Sequence, residues 1–262
     1  MTARLAWVPF AVMALTQIGI PLTDDDATLE WLSSLVVVAF FLSVLVIAVA
    51  RWGAGRALGA AAFVVVATLA VEKLGTATGF PFGEYDYTGA LQPTIGGVPV
   101  IVPLAWFAMG VTALEVGHHV GSRIVAVVVG ALGLTAWDLF LDPQMVEAGY
   151  WEWEVDGAYQ GIPLSNYGGW LLTGLVVLAV VEGIRPATPP SPGLRWLYTW
   201  WAVMSTIGFV VFFGRPWVGL VGGIGMGAIT ALAWSHERFW SHDVRSATGR
   251  GGTRTRWAGD GG

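Results

Sequence analysis

WDLFLDPQMVEAGYWEWEVDGAYQGIPLSN, residues 137–166, lies between two long apolar stretches of the chain. Asp138 and Asp142 are four residues apart at the end of the first apolar stretch, so they share one face of a helix. Ionisable side chains at membrane depth are unfavourable and usually have a function. The surroundings of these two carboxyl groups therefore determine how the rest of the sequence is interpreted.

The composition is that of a membrane protein. Of the 262 residues, 55% are hydrophobic and only 12% are charged, whereas soluble domains contain about 25% charged residues. Cysteine is absent, which excludes disulfides, thiolate nucleophiles and cysteine-bound metals. The net charge of −5 is modest, and the distribution of charge along the chain is more informative than its sum.

Eight stretches reach the ~20 apolar residues that a bilayer-crossing helix needs. The candidates are 5–22, 31–50, 57–75, 99–117, 122–141, 166–184, 196–213 and 217–235. The first lacks a small-residue cleavage site and is expected to be retained.

Most of the thirteen basic residues fall in alternate loops, with Arg215 the clear exception. The positive-inside rule then predicts an all-α, multi-pass helix bundle in the cell membrane, with both termini cytoplasmic.

The sequence divides into one transmembrane helical domain, 1–240, and a tail, 241–262. The tail is rich in arginine and glycine, which predicts a disordered cytoplasmic end and not a nucleic-acid site. The string GIGMGA, 223–228, formally matches a dinucleotide fingerprint, but no predicted strand precedes it. Gly219, Gly223 and Gly227 instead predict close packing of the last helix against a neighbour.

Two loops on the acidic side, 76–98 and 142–165, are long and rich in aromatic residues. One interpretation is an aromatic belt at the headgroup level. The other is that both loops fold back and cover a cavity between the helices, because irregular backbone near a membrane is tolerated where it lines a cavity. The sequence leaves both interpretations open.

Three acidic residues approach this same side. Pro143 predicts that the fifth helix ends at Asp142, which puts Asp138 one turn deeper, and Glu72 lies near the corresponding end of the third span. Solvation or ion pairing would explain all three, whereas burial would favour the neutral acid, the form that can donate a proton. At the opposite side, Glu115, His118 and His119 are interpreted as structural or exposed, and Glu182 as solvated.

Several reaction classes lack their motifs. The sequence contains four histidines and no phosphate-binding loop, HExxH or GxSxG. The available chemistry consists of carboxyl groups, aromatic rings and an apolar environment. This set favours acid–base chemistry on a lipid-soluble substrate, with no cofactor and no metal.

Four strings resemble the carotenoid biosynthesis membrane protein family, which includes carotenoid 1,2-hydratases of the bisanhydrobacterioruberin hydratase type. They are FPFGEYDYT (80–88), GVPVIVPLAWFAMG (97–110), LTAWDLFLDPQM (134–145) and GYWEWEVDGAYQGIPLSNYGGWLLTG (149–174). The resemblance implies an acyclic carotenoid substrate and addition of water to its terminal 1,2 double bond. It implies no particular catalytic residue. Other carotenoid-pathway enzymes are conceivable partners, in addition to the lipid bilayer.

The residues suggest a mechanism compatible with that resemblance. Asp138 or Glu72 would protonate the alkene, and Asp142 would accept a proton from the attacking water. Trp137, Trp106 and Tyr167 would stabilise the cation through their ring faces, and Tyr85 and Asn166 complete the expected substrate-binding set. The alternatives are a carotenoid-binding protein without catalysis, a proton-coupled transporter, and a carotenoid cyclase or isomerase.

Overall fold

Helices form most of the architecture of this chain. The computed structural model describes the backbone of residues 6–248 and the side chains of residues 6–235. In chain order the α-helices are α1 (Trp7–Gly19), α2 (Asp26–Trp52), α3 (Ala54–Thr78), α4 (Ile101–His118), α5 (Arg123–Glu147), α6 (Leu164–Ile184), α7 (Pro192–Ile207) and α8 (Pro216–Thr248). A 3₁₀ turn (Ile20–Leu22) follows α1, and a π-helical turn (Gly208–Phe212) follows α7.

Within the described residues, six helices are long and apolar enough to cross a bilayer, namely α2 to α6 and the first part of α8, Pro216–Ser235. The prediction of an all-α, multi-pass membrane protein is therefore confirmed. The other two helices, α1 and α7, correspond to the first and seventh predicted spans. The apolar segment that includes α1 covers only Trp7–Leu22, and α7 has 16 residues before its π-helical turn.

The centre of the bundle is α4. It contacts every helix from α2 to α8, and its residues from Ala105 to Gly117 are all buried. Because the other helices surround it, α4 shows almost no amphipathic pattern in the sequence. It carries Trp106 near one end and Glu115 near the other, so it has a buried polar contact at each end of the bundle.

The predicted end of the fifth helix at Asp142 is wrong. Helix α5 continues through Pro143 to Glu147. Proline has no N–H, so within a helix it leaves the carbonyl four residues earlier without its usual donor. That carbonyl belongs to Leu139, and it accepts a hydrogen bond of 3.1 Å from the Tyr159 hydroxyl. A side chain from the following loop thus satisfies the backbone group that the proline leaves free.

The two long loops are joined by a short antiparallel ribbon. Strand β1 (Tyr85–Tyr87) pairs with β4 (Trp151–Trp153), whereas β2 (Thr94–Ile95) and β3 (Val98–Pro99) form a separate hairpin within the first loop. The ribbon lies where α2, α4, α6 and α8 begin, and we call this the carboxylate end of the bundle. The opposite end, which carries Arg51, Arg123 and Arg185, is the arginine end.

Arg215, the exception to the charge pattern, is explained by local pairing at the carboxylate end. Its Nε lies 2.7 Å from Glu147 Oε2, and its Nη1 donates to Gln160 Oε1 at 3.2 Å. The guanidinium therefore joins the start of α8 to the end of α5 and to the second long loop. A positive charge on the acidic side is here part of an ion pair between elements.

The glycine pattern of α8 is explained in part by close packing, as predicted. A Cβ atom on Gly219 would lie 2.6 Å from a Val210 side-chain atom, and one on Gly223 would lie 2.8 Å from Thr206 Oγ1. Gly227 has nothing within 4 Å of that position, so packing does not explain it. The predicted disordered tail, 241–262, lies largely outside the described residues.

Candidate active site

The ribbon at the carboxylate end has one aromatic face and one acidic face. Successive residues of a strand point to opposite sides, and the two strands, Tyr-Asp-Tyr and Trp-Glu-Trp, are in register. Asp86 and Glu152 are opposite each other and exposed. The four aromatic side chains face the helices and pack on one another, Tyr85 on Trp153 and Tyr87 on Trp151.

Glu72 is held by three neutral hydrogen-bond donors. Its Oε2 accepts from Tyr85 at 2.5 Å and from Tyr87 at 2.9 Å, and its Oε1 accepts from Trp106 Nε1 at 2.9 Å. The residue is only 4% exposed. Burial raises the pKa of both tyrosine hydroxyls, and the Glu72 carboxylate raises these pKa values further. Both tyrosines therefore remain protonated and act as donors.

Asp138 and Asp142 form a second buried group one helical turn apart. The Asn166 amide nitrogen donates to Asp138 Oδ2 at 2.8 Å and also to Asp142 Oδ2. Trp151 Nε1 donates to Asp142 Oδ1 at 3.1 Å. Because both Oδ2 atoms accept from this one amide nitrogen, the two carboxyl groups lie side by side. Asp138 Oδ1 has no N–H or O–H donor among the described residues.

None of these three carboxyl groups has a cationic partner among the side chains of residues 6–235. In the part of the chain with described side chains, the ion pairs involve other acids, at Glu115, Glu147 and Glu182. The same part of the chain contains no cluster of three or more histidine, aspartate and glutamate side chains arranged to hold a metal ion. Glu72 and the aspartate pair are thus stabilised by neutral N–H and O–H donors.

A cavity of about 320 Å³ lies beside these groups. Glu72, Asp142 and Asn166 line it together with residues of both long loops, including Leu91 and Trp153. Its wall is otherwise mostly aromatic and aliphatic, and its volume is near the lower end of the range for small-molecule sites. The two loops therefore cover a cavity between the helices, which favours that interpretation over a headgroup belt alone.

The sequence-predicted residues divide into those that line the cavity and those behind its wall. Glu72, Asp142, Trp137, Tyr85 and Asn166 line it. The other three predicted residues do not line the cavity. Asp138 is fully buried behind Asp142 and Asn166. Trp106 stacks on Trp170 with ring centroids 4.0 Å apart, and Tyr167 packs against Tyr159. Trp106 reaches the site through its hydrogen bond to Glu72, not through direct exposure to the cavity.

The wall contains further aromatic residues that were absent from the predicted set, among them Tyr87, Trp151, Trp170 and Trp201. For Tyr87 and Trp151 the signal was the pair of matched aromatic-acid-aromatic triplets, which has the two-residue period of a strand. For Trp170 and Trp201 no local signal distinguishes them from ordinary core tryptophans. Their place in the wall depends on how α6 and α7 pack.

Comparisons with known proteins find a family model and a curated relative for this chain. A family model described as "Carotenoid biosynthesis protein" matches residues 32–234. Over 118 residues the chain is 34% identical to the bisanhydrobacterioruberin hydratase of Haloarcula japonica. That alignment covers 43% of this chain and 40% of the relative, so the chain spans less than half the length of this curated protein. No solved structure matches the chain.

Proposed function

The chain belongs to the carotenoid biosynthesis protein family, and from that premise we propose that it is a hydratase acting on an acyclic carotenoid. The reaction adds water across the terminal 1,2 double bond and gives a tertiary alcohol. The hydratase similarity extends over part of the chain. The observation that carries the proposal is a cavity in a lipid-embedded bundle, lined by aromatic rings and by carboxyl groups without cationic partners.

The aspartate pair is suited to supply the proton. Two carboxyl groups in contact and away from water cannot both carry a negative charge, so they share one proton, as in other buried carboxyl pairs. Asp142 and Asn166 face the cavity, whereas Asp138 lies behind its wall, and the Asn166 amide donates to both aspartates. In this proposal Asp142 delivers the proton to the less substituted alkene carbon, and Asp138 is its partner in the pair.

Glu72 is suited to the opposite role. Three donors directed at one carboxylate stabilise its charged form, since hydrogen bonds to a charged acceptor are the strong ones. Protonation of the alkene leaves a tertiary cation, which Glu72 and the faces of Trp137, Trp170 and Trp201 stabilise. Water then bonds to the cationic carbon, and the aspartate pair, which gave up its proton to the alkene, accepts the proton that this water loses. The net change is one hydrogen and one hydroxyl added, with the acid restored and no redox step.

Pigment analysis in cells that accumulate an acyclic carotene tests this function. The wild-type protein is expected to yield a product heavier by one water, whereas Asp142→Asn and Glu72→Gln abolish that product at normal protein abundance. Asp86→Asn and Glu152→Gln are matched controls, because these acids lie on the outer face of the same ribbon. Full conversion by Asp142→Asn would contradict the proposed proton donor.

The same experiment separates hydration from the other functions considered. A pigment that co-purifies with unchanged mass indicates binding without catalysis. A product of unchanged mass but altered absorption or retention indicates cyclisation or isomerisation, in which the same cation loses a proton instead of capturing water. Only the mass increase of one water supports the hydratase.

For the topology we propose eight crossings of the cell membrane, with both termini on the cytoplasmic side. The concentration of arginines at one end supports this orientation, as do the alternating directions of α1 to α8. Reporter fusions after Arg51 and after Arg185 are expected to give cytoplasmic signals, and a fusion within 88–92 is expected to give the opposite signal. A cytoplasmic signal from that loop would reject the orientation.

A further inference from the structure

A second cavity, of about 670 Å³, lies nearer the arginine end between α1, α2 and α7. We propose that it holds the polyene chain of the substrate, and that Trp200 is a gate between it and the carboxylate cavity. This inference rests on the proposed hydratase function. It deepens that function by assigning a position to the part of the carotenoid that does not react.

The same three helices line both cavities. Toward the carboxylate end, Gln17 of α1, Val37 of α2 and Met204 of α7 line the first cavity. Toward the arginine end, the same helices line the second one, through Phe10 of α1, Ile47 of α2 and Val203 of α7. The two spaces are therefore successive parts of one groove that runs along the bundle.

Trp200 lies where the two parts meet. It lines the second cavity, whereas the next residue, Trp201, lines the first. Its Nε1 donates to Gln17 Oε1 at 2.8 Å, and its ring packs edge-on against Phe10 with centroids 5.5 Å apart. This side chain thus bridges α1 and α7 across the groove and separates the two cavities.

The chemistry of the groove fits a hydrocarbon rod. The carboxylate cavity alone is small for an extended carotenoid, whose reactive end is a minor part of its length. Most of the wall of the second cavity is apolar, and its few polar side chains include Ser43, Arg51 and Thr199. An apolar chain can therefore lie along the apolar part of the wall without covering those groups. Trp7 and Trp196 are largely exposed at its border, so a lipid-soluble molecule can approach from the bilayer.

Helix α1 is the element suited to move. It has 13 residues and packs mainly on α2, and the Gln17–Trp200 hydrogen bond ties it to α7. A single hydrogen bond contributes about 0.5–1.5 kcal/mol, which is small enough to break when a substrate enters.

The groove is tested with two probes, a full-length acyclic carotene and an acyclic isoprenoid of half its length with the same terminal double bond. Val203→Trp and Ile47→Trp fill the second cavity from opposite walls. Each is expected to lower conversion of the full-length probe at least about tenfold relative to the half-length probe. Val176→Trp, on an exposed part of α6 outside both cavities, is the matched control and should leave the ratio unchanged.

The gate is tested with Trp200→Phe, which keeps a ring but removes the donor to Gln17. Conversion of the full-length probe at limiting concentration should rise about two- to tenfold, the value of one hydrogen bond, with the half-length probe unaffected. Equal effects on both probes in all variants would contradict the proposal that the second cavity holds the polyene chain. If the wild-type protein adds water to neither probe, the proposed function fails, whereas hydration of both with constant ratios rejects only this inference.

Discussion

The two ends of the bundle bury acidic side chains in opposite ways. At the arginine end, Glu115 lies 2.6 Å from Arg185 Nε and also accepts from the Ser191 amide at 2.7 Å. Glu182 lies 2.7 Å from His118 and 3.0 Å from Arg123, although the sequence predicted it to be solvated. At the carboxylate end, Glu72, Asp138 and Asp142 are equally buried and have only neutral donors.

In the proposed function, this difference separates structural acids from reactive ones. The charge of a buried carboxylate is balanced when a cation lies next to it. Such a pair holds neighbouring helices together and exchanges no proton. A buried carboxyl group without a cation is unfavourable for stability, and such groups concentrate where the protein uses their chemistry. The ends of one fold thus contain the same residue type in two roles, which are distinguished by their neighbours.

Breaking the pair at the arginine end should give the largest effect on stability. Arg185→Leu leaves the fully buried Glu115 without its cation, and losing one partner of a buried ion pair lowers the free energy of unfolding by about 3–5 kcal/mol. The protein is expected to lose its monodisperse form on mild heating in detergent. Arg56→Leu, at an exposed position of α3, is the control, and equal losses in both would show that the pair is not structural.

Neutralising an acid should have opposite effects on stability at the two ends. Glu115→Gln weakens the pairing with Arg185 and is expected to lower the thermal midpoint. Asp142→Asn removes the buried negative charge that the aspartate pair carries, so it should leave the midpoint unchanged or raised while activity falls by at least about 10². Parallel melting curves and pigment assays check this, and a lower midpoint for Asp142→Asn would remove the distinction.

The sequence predicted the helices better than the site. Long apolar runs and alternating charge indicated the helix bundle, because lipid leaves few alternatives to helices. The prediction from sequence failed locally at two residues. At Pro143 a loop residue, Tyr159, replaces the missing donor, and at Glu182 the partners are on other helices. That Glu72 and Asp142 line one cavity depends on the packing of α3 and α5 around α4, and no spacing in the sequence encodes it.

The donors around Glu72 provide a smaller, graded test. Tyr85→Phe removes one of three hydrogen bonds to a buried carboxylate, which should lower stability by about 1–3 kcal/mol and activity about tenfold, equivalent to 1.4 kcal/mol at the transition state. Tyr150→Phe is the control, since that hydroxyl has only a 3.4 Å contact with Ser33. If Tyr150→Phe lowered stability and activity as much as Tyr85→Phe does, the loss would not be specific to the hydrogen bond with Glu72.

The smallest expected effect concerns the backbone that positions the aspartate pair. Tyr159→Phe leaves the Leu139 carbonyl without a donor and should lower stability by about 0.5–1.5 kcal/mol. In the double variant with Pro143→Ala, the restored N–H at position 143 bonds that carbonyl, so most of the loss should return. If the stability effects of the two substitutions simply add in the double variant, the Tyr159 hydroxyl acts at a group other than the Leu139 carbonyl.

Alkaline titration adds an independent check on Tyr159. Burial, with the nearby Asp138 charge, raises the pKa of this phenol to about 12, whereas an unfolded tyrosine titrates near about 10. A raised folded-state pKa gives stability that is complete below about pH 10 and is lost as the pH rises toward 12. The stability difference between wild type and Tyr159→Phe should therefore shrink from about pH 10 to pH 12. A constant difference over that range would mean that Tyr159 is as accessible to solvent as an unfolded tyrosine, and its hydroxyl could not then serve as the fixed donor that allows α5 to continue past Pro143.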